Sequence, residues 1–198
     1  MRPLQRVLEA SDYLVLNLGY RSRSADIATL ARDVADRVTR WEPASKLDFV
    51  THSLGGILVR AAVAYGHLPR ERIRRVVMLG PPNAGSEVVD AFRAIPVVAS
   101  IYAALTGPAG AQLGTTSGLP AQLPPVDFEL GVVAGNRSFN PIFSATLGAE
   151  NDGKVRVDRT RVDGVREILI VPHWHPMLMS APGVLRQIVH FLQTGAFR

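Results

Sequence analysis

Apolar positions along the chain recur with two different periods, and the points where the period changes mark the elements. Pro3 to Ser11 reads as a short helix, and the apolar run from Tyr13 to Leu18, stopped by Gly19, reads as a buried strand. Ile27, Leu30, Ala31, Val34, Val38 and Trp41 recur at helical spacing, with Ser24 as the expected cap and Pro43 as the breaker. A second strand is expected over Leu47 to Thr51, then a helix with Ile57, Leu58, Ala61, Ala62 and Tyr65 on its apolar face, closed by Gly66. Ile73 to Leu79 reads as the third strand. Ser86 to about Leu105 reads as an apolar helical region interrupted at Pro96, and Thr106 to Pro125, rich in Gly, Pro, Ser and Thr, as a surface excursion. Phe128 to Ala134 and Ile168 to Val171 supply the fourth and fifth strands, and Val184 to Leu192 a last helix ending near Gly195.

Strands alternating with helices predict an α/β fold: a mainly parallel sheet in three α/β/α layers. Residues 1–198 are expected to form one domain, with a small cap or flexible excursion at about 92–125. Ligands of such sheets sit outside the carboxyl ends of the strands, so the chemistry is sought in the loops there. Composition agrees: 198 residues, 47% of them hydrophobic, with a mean hydropathy of +0.13, suffice for one core and argue against disorder. No apolar run approaches the roughly 20 residues that cross a bilayer. The start, Met1-Arg-Pro-Leu-Gln-Arg, lacks the apolar core of a signal peptide, so a soluble intracellular protein is expected. The absence of cysteine excludes disulfides, thiolate metal sites and cysteine nucleophiles. A net charge of +5 is carried mostly by arginine. The knot at Arg70, Arg72, Arg74 and Arg75 has no base-stacking aromatics among it, so a solvated face is expected and no nucleic-acid partner.

Thr51-His52-Ser53-Leu54-Gly55-Gly56 joins the second strand to its helix. A serine there either caps the helix or stands on a tight turn as a nucleophile, where small neighbours relieve crowding. Gly55 and Gly56 suit the second reading, and Thr51 stands where the G-x-S-x-G pattern has its first glycine. The hexapeptide resembles the nucleophile elbow of the α/β-hydrolase superfamily, in its lipase and esterase branch. Leu79-Gly80-Pro81-Pro82-Asn83-Ala84-Gly85-Ser86 is similar to the Gly-Thr-Pro-His-x-Gly-Ser segment that many lipases carry after the next strand. Asn17 to Ser22, followed by the helix from Asp26, resembles the stretch leading up to the elbow.

The resemblance implies a carboxylic-ester hydrolase, esterase or lipase, acting on a small-molecule or lipid ester without metal or organic cofactor. Ser53 is then the nucleophile, needing an imidazole to take its proton and a carboxylate to orient that imidazole. In this fold the chain order is Ser, then Asp or Glu, then His. His67 ends the elbow helix and His190 lies inside the last helix, which leaves His173 and His175 in the loop after the fifth strand. The family's pattern matches Val171-Pro172-His173-Trp174-His175-Pro176-Met177 best with His175 as the base and His173 as the alternative. Asn151-Asp152-Gly153-Lys154-Val155 resembles the loop carrying the acid, implying Asp152, with Glu150 and Asp127 as alternatives. Read without the resemblance, Asn-Asp-Gly is a turn. A zinc site from His173, His175, Glu150 and Asp152 lacks a recognised spacing for the remaining ligands.

The tetrahedral intermediate of acyl transfer needs two N–H donors. Leu54 supplies the first, and the family places the second after an earlier strand, often marked His-Gly. No His-Gly precedes Ser53, so a minimal or N-terminally truncated version of the fold is expected. Three arrangements follow. Tyr13–Leu18 moves beside the elbow strand and the Gly19-Tyr20 turn brings the donor; a second copy completes the sheet as a homo-oligomer; or the scaffold binds ligand with weak activity or none.

Overall fold

Val76, Val77, Met78 and Leu79 are all fully buried, which a strand achieves only with apolar cover on both faces. In the computed structural model of this protein they belong to β2 (Ile73–Leu79), paired in parallel with β1 (Leu47–His52) and β3 (Glu129–Gly135). With β4 (Glu167–Val171) beside β3, the sheet among the described residues has four parallel strands in the order β1-β2-β3-β4. The structure describes residues 1–93, 106–139 and 147–198.

Successive side chains on a strand point to opposite faces. Val76, Met78, Leu130 and Val132 therefore pack under α2 (Ile27–Trp41) and α3 (Leu54–Ala64). Val77, Leu79 and Val133 pack on the other face, against α1 (Arg2–Glu9) and α6 (Pro182–Thr194). The result is the three-layer α/β/α arrangement expected from the alternation of elements. The apolar stripe of α2 is the one the sequence spacing marks, with Ile27, Leu30, Ala31, Ala35 and Val38 buried. Its cap is different: Asp26 Oδ1 accepts from the Thr29 amide at 2.8 Å, whereas the Ser24 hydroxyl donates to the carbonyl of Arg21.

The expected first strand does not form. Tyr13, Val15 and Leu18 are partly buried and Leu14 is 82% exposed, so the alternation is there, yet among the described residues Tyr13–Leu18 pairs with no strand. Alternating burial specifies a ribbon with one covered face; a strand also needs a neighbouring edge within hydrogen-bond reach. Here an apolar cavity of about 640 Å³ is lined by Val15 and Leu18 from this segment and by Phe49 and Val50 from β1. Among the described residues β1 is therefore an outer strand of the sheet, and of the three arrangements the first, with Tyr13–Leu18 paired beside the elbow strand, is not seen.

Helix follows β2 as α4 (Glu87–Arg93); the rest of the helical region expected up to Leu105 lies outside the described residues. Residues 106–111 are helical, α5 spans Leu119–Gln122, and Ala109 and Leu123 are buried in the core beneath α2 and α3. Asp90 accepts from the Thr115 amide and hydroxyl, at 2.9 and 2.6 Å to Oδ2. Arg60 of α3, 4% exposed, donates to the main-chain and side-chain oxygens of Asn83 at 3.0 and 3.2 Å. Its other terminal nitrogen donates to the carbonyls of Pro120 and Leu123 at 3.2 and 3.3 Å. Burial pushes this guanidinium's pKa down to about 10, which still leaves it charged at neutral pH. No helix among the described residues is long and apolar enough to cross a membrane.

Arg60→Met removes these donors while keeping an unbranched apolar stem, leaving several buried carbonyls without partners. Stability is expected to fall by about 2–4 kcal/mol, read as a lower urea midpoint. An unchanged midpoint would mean that the carbonyls find other donors.

Candidate active site

β1 ends at His52, α3 begins at Leu54, and the single residue between them turns the chain. Ser53 does so at φ 53°, ψ −124°, a conformation that costs a residue with a β-carbon about 1–3 kcal/mol. Its neighbours hold it there: the Ser53 amide donates to the Leu79 carbonyl at 2.9 Å, and its own carbonyl accepts from Gly56 at 3.1 Å. The Ser53 side chain makes no capping hydrogen bond, so it is not spent on the helix. Small neighbours permit the turn. A β-carbon at Gly56 would lie 2.9 Å from Met78 Sδ, so only glycine lets α3 settle this closely on β2. One at Gly55 would lie 3.4 Å from Thr51 Cβ, an ordinary contact, so threonine two positions before Ser53 does not crowd the turn.

Asn151 to Val155 form a loop that closes on itself. The Asn151 side chain accepts from Gly153 at 2.9 Å, and the Asp152 amide donates to the Val155 carbonyl at 3.1 Å. Asp152 Oδ1 accepts two amides, Lys154 at 3.0 Å and Val155 at 2.9 Å. Its Oδ2 is left for His175 Nδ1, at 2.6 Å. Both side chains are buried, at 1% and 2% exposure. Since a carboxylate only accepts, His175 carries a proton on Nδ1, so in the neutral imidazole the lone pair lies on Nε2. Among the described residues that buried Nε2 has no hydrogen-bond partner.

Two strand ends make room for the pair. Gly80, at φ 53°, follows β2, and a β-carbon there would lie 2.9 Å from both Asp152 Oδ2 and His175 Nδ1. Gly135 ends β3, and a β-carbon there would lie 2.8 Å from Asp152 Cβ. Ser53 is tied to the same spot through Leu79, the residue before Gly80. On the other side of Ser53, the His52 ring lies 4.6 Å from that of His175, centroid to centroid. Ser53, Asp152 and His175 are thus brought to one neighbourhood at the carboxyl edge of the sheet.

The other candidates are elsewhere. His173 is partly buried and its amide donates to Val171, but it makes no bond to Asp152. Glu150 is exposed, and Asp127 pairs with Arg70 at 2.8 Å. His67 stacks edge-on with Tyr65, 6.1 Å away, and His190 lies within α6. Residues 81–86 bind the segment around Asp152: Ser86 donates to the Lys154 carbonyl at 3.0 Å, and Asn83 to the Thr160 carbonyl at 2.9 Å. Sequence reasoning missed Gly80 and Gly135 as determinants; the available signal was a glycine at the carboxyl end of each of two central strands.

Gly80→Ala is expected to force the imidazole and carboxylate apart. The downfield Nδ1–H resonance of His175 in proton NMR should disappear from the variant while the far-UV spectrum stays native. Persistence of that resonance would show that the pair moves as a unit. His52 is held neutral: burial, then the neighbouring His175, push its pKa from 6.5 down to about 4. Below pH 6.5 the unfolded chain binds a proton that the folded chain refuses until about pH 4, so stability present above pH 6.5 is lost as the pH falls across that window. Between pH 7 and 4.5 the parent should lose on the order of 1–3 kcal/mol more than His52→Gln in urea unfolding. Parallel pH curves would contradict this.

Comparison with known proteins places this geometry on a familiar frame. The phospholipase PlaB from Legionella pneumophila superposes with a TM-score of 0.72 at 18% identity, over 98% of this chain and 56% of that one. The mature lipase of Bacillus licheniformis superposes with a TM-score of 0.62 at 17% identity, over 87% of this chain and 75% of that one. A metagenomic carboxyl esterase gives 0.58 at 19% identity, over 78% and 53%. The chain therefore spans little more than half the length of two of these three proteins. At such identities the likeness establishes the α/β-hydrolase fold. No curated protein matches the chain. The family model described as a domain of unknown function, DUF7379, matches residues 2–121, more than half of the sequence, and the chain belongs to that family.

Proposed function

We propose that this protein hydrolyses carboxylic esters through a Ser53-His175-Asp152 triad. One observation carries the proposal: a buried imidazole bonded at 2.6 Å to a buried carboxylate, with its other nitrogen unpartnered among the described residues, near a serine held on a strained turn. A serine capping a helix needs no such conformation, and a structural His–Asp pair has no need of a free nitrogen. The superposed proteins are a lipase, a phospholipase and a carboxyl esterase, which supports the same reaction class.

In this reading Ser53 Oγ attacks the acyl carbonyl as His175 Nε2 takes its proton, and Asp152 keeps the imidazole in the required tautomer. Negative charge on the carbonyl oxygen is met by the Leu54 amide, the first of α3 and without an intrahelical acceptor. His175 then protonates the departing alcohol, and water, activated the same way, releases the acid from the acyl-enzyme. The three residues follow β1, β3 and β4 of one sheet, so the whole chain acts as a single catalytic unit. The stretch at about 92–125, whose described part 106–125 is tied to α3 and α4, is the candidate for a wall of the acyl pocket or a small cap. Small-molecule or lipid esters are the substrates.

The test is fluorophosphonate labelling together with p-nitrophenyl esters of graded acyl length. Ser53→Ala should abolish labelling, and kcat should drop about 10⁴-fold or more in Ser53→Ala and His175→Ala and about 10³- to 10⁴-fold in Asp152→Asn. His173→Ala should stay within about fivefold of the parent. No Ser53-dependent labelling and no turnover would overturn the proposal, and equal loss in His173→Ala would move the base.

A further inference from the structure

His52 is absorbed by neither role in the triad, yet it makes a specific contact with it. Its Nε2 lies 3.1 Å from the backbone oxygen of His175, 123 positions away in sequence. A carbonyl only accepts, so Nε2 carries the proton. The two rings also face each other, with centroids 4.6 Å apart and planes inclined by 49°. His175 is thereby held at three points: Nδ1 by Asp152 Oδ2, the backbone amide by the Asp152 carbonyl at 2.9 Å, and the backbone carbonyl by His52. The first two fix the base to the acid loop. The third fixes it to the last residue of β1, whose next residue is Ser53.

We infer that His52 is a positioning residue: by donating Nε2–H to the carbonyl of His175 and backing its ring, it sets the separation between the proposed base and the proposed nucleophile. The inference rests on the triad reading above. The groups acting electrostatically on His52 are His175, Asp152 and Lys154. Burial and His175 keep His52 neutral, so no second cation opposes the imidazolium that His175 becomes when it takes the serine proton.

The substitutions that separate donor from volume are His52→Gln, whose side-chain amide donates at a similar reach, and His52→Leu, which fills space without a donor. With p-nitrophenyl esters, His52→Gln should keep kcat within about threefold. His52→Leu should lose about 10- to 100-fold in kcat, as a small misplacement of reacting groups does, with KM within about twofold and fluorophosphonate labelling slowed in step. In nitrogen-15 NMR of the parent, His52 should be the neutral Nε2–H tautomer between pH 5 and 8. A parent-like kcat in His52→Leu, a loss in His52→Gln equal to that in His52→Leu, or an Nδ1–H tautomer in the parent would overturn the inference. Should His52→Leu fail to fold, His52→Gln and the tautomer decide. A parent without Ser53-dependent labelling would instead sink the ester-hydrolase reading, and the NMR arm would still decide whether His52 makes its bond.

Discussion

Burying a carboxylate beside an imidazole is the demand to which the rest of this structure answers. Removing such a group from water costs several kcal/mol unless its lone pairs are met. At Asp152 they are: two loop amides reach Oδ1, His175 reaches Oδ2, and the main-chain oxygen takes the His175 amide. Meeting those needs forces the 150–157 segment to fold back on itself, through Val157 to Glu150 and the bridge between Asn151 and Arg156. It also forces the adjacent strand ends to surrender their side chains, which is why Gly80 and Gly135 stand there.

The register of the parallel sheet brings the pieces level. His52 pairs with Leu79, Leu79 with Val133, and Gly135 with Val171. The residues just past these pairs, Ser53, Gly80 and Asn136, therefore emerge along one edge, and His175 follows shortly after β4. Parallel strands all end on the same side, so segments far apart in sequence meet without any long loop crossing the core. Two further tethers hold this edge together from below. Arg60 links α3 to Asn83, which reaches on to Thr160, and Ser86 reaches Lys154. The buried guanidinium thus connects the helix behind Ser53 to the segment carrying Asp152.

On its other side β1 faces a cavity lined by both apolar and polar side chains. Its outer edge borders the cavity shared with Tyr13–Leu18, and among the described residues its one strand neighbour is β2. The elbow strand is consequently fixed by β2, by α3 and by the histidine contact at its end. A strand paired on both edges would depend less on those three.

Local patterning carried much of the fold. The helical spacing from Ile27 to Trp41, the apolar runs at Leu47, Ile73, Phe128 and Ile168, and the serine followed by two glycines all encode their elements through short-range sterics and burial. The order of Ser53, Asp152 and His175 took its proposed meaning from a resemblance and not from local patterning. Other features were not local. Tyr13–Leu18 has the alternation of a strand, but pairing depends on where another edge lies. Ser24 and Asp26 both suit a cap, and backbone geometry chose Asp26. Above all, nothing near His52 in sequence announces the carbonyl 123 residues on, and nothing near Gly80 or Gly135 announces the carboxylate they clear space for. Those contacts exist only once the sheet register has aligned the strand ends, because distance across a sheet is set by pairing and not by position along the chain.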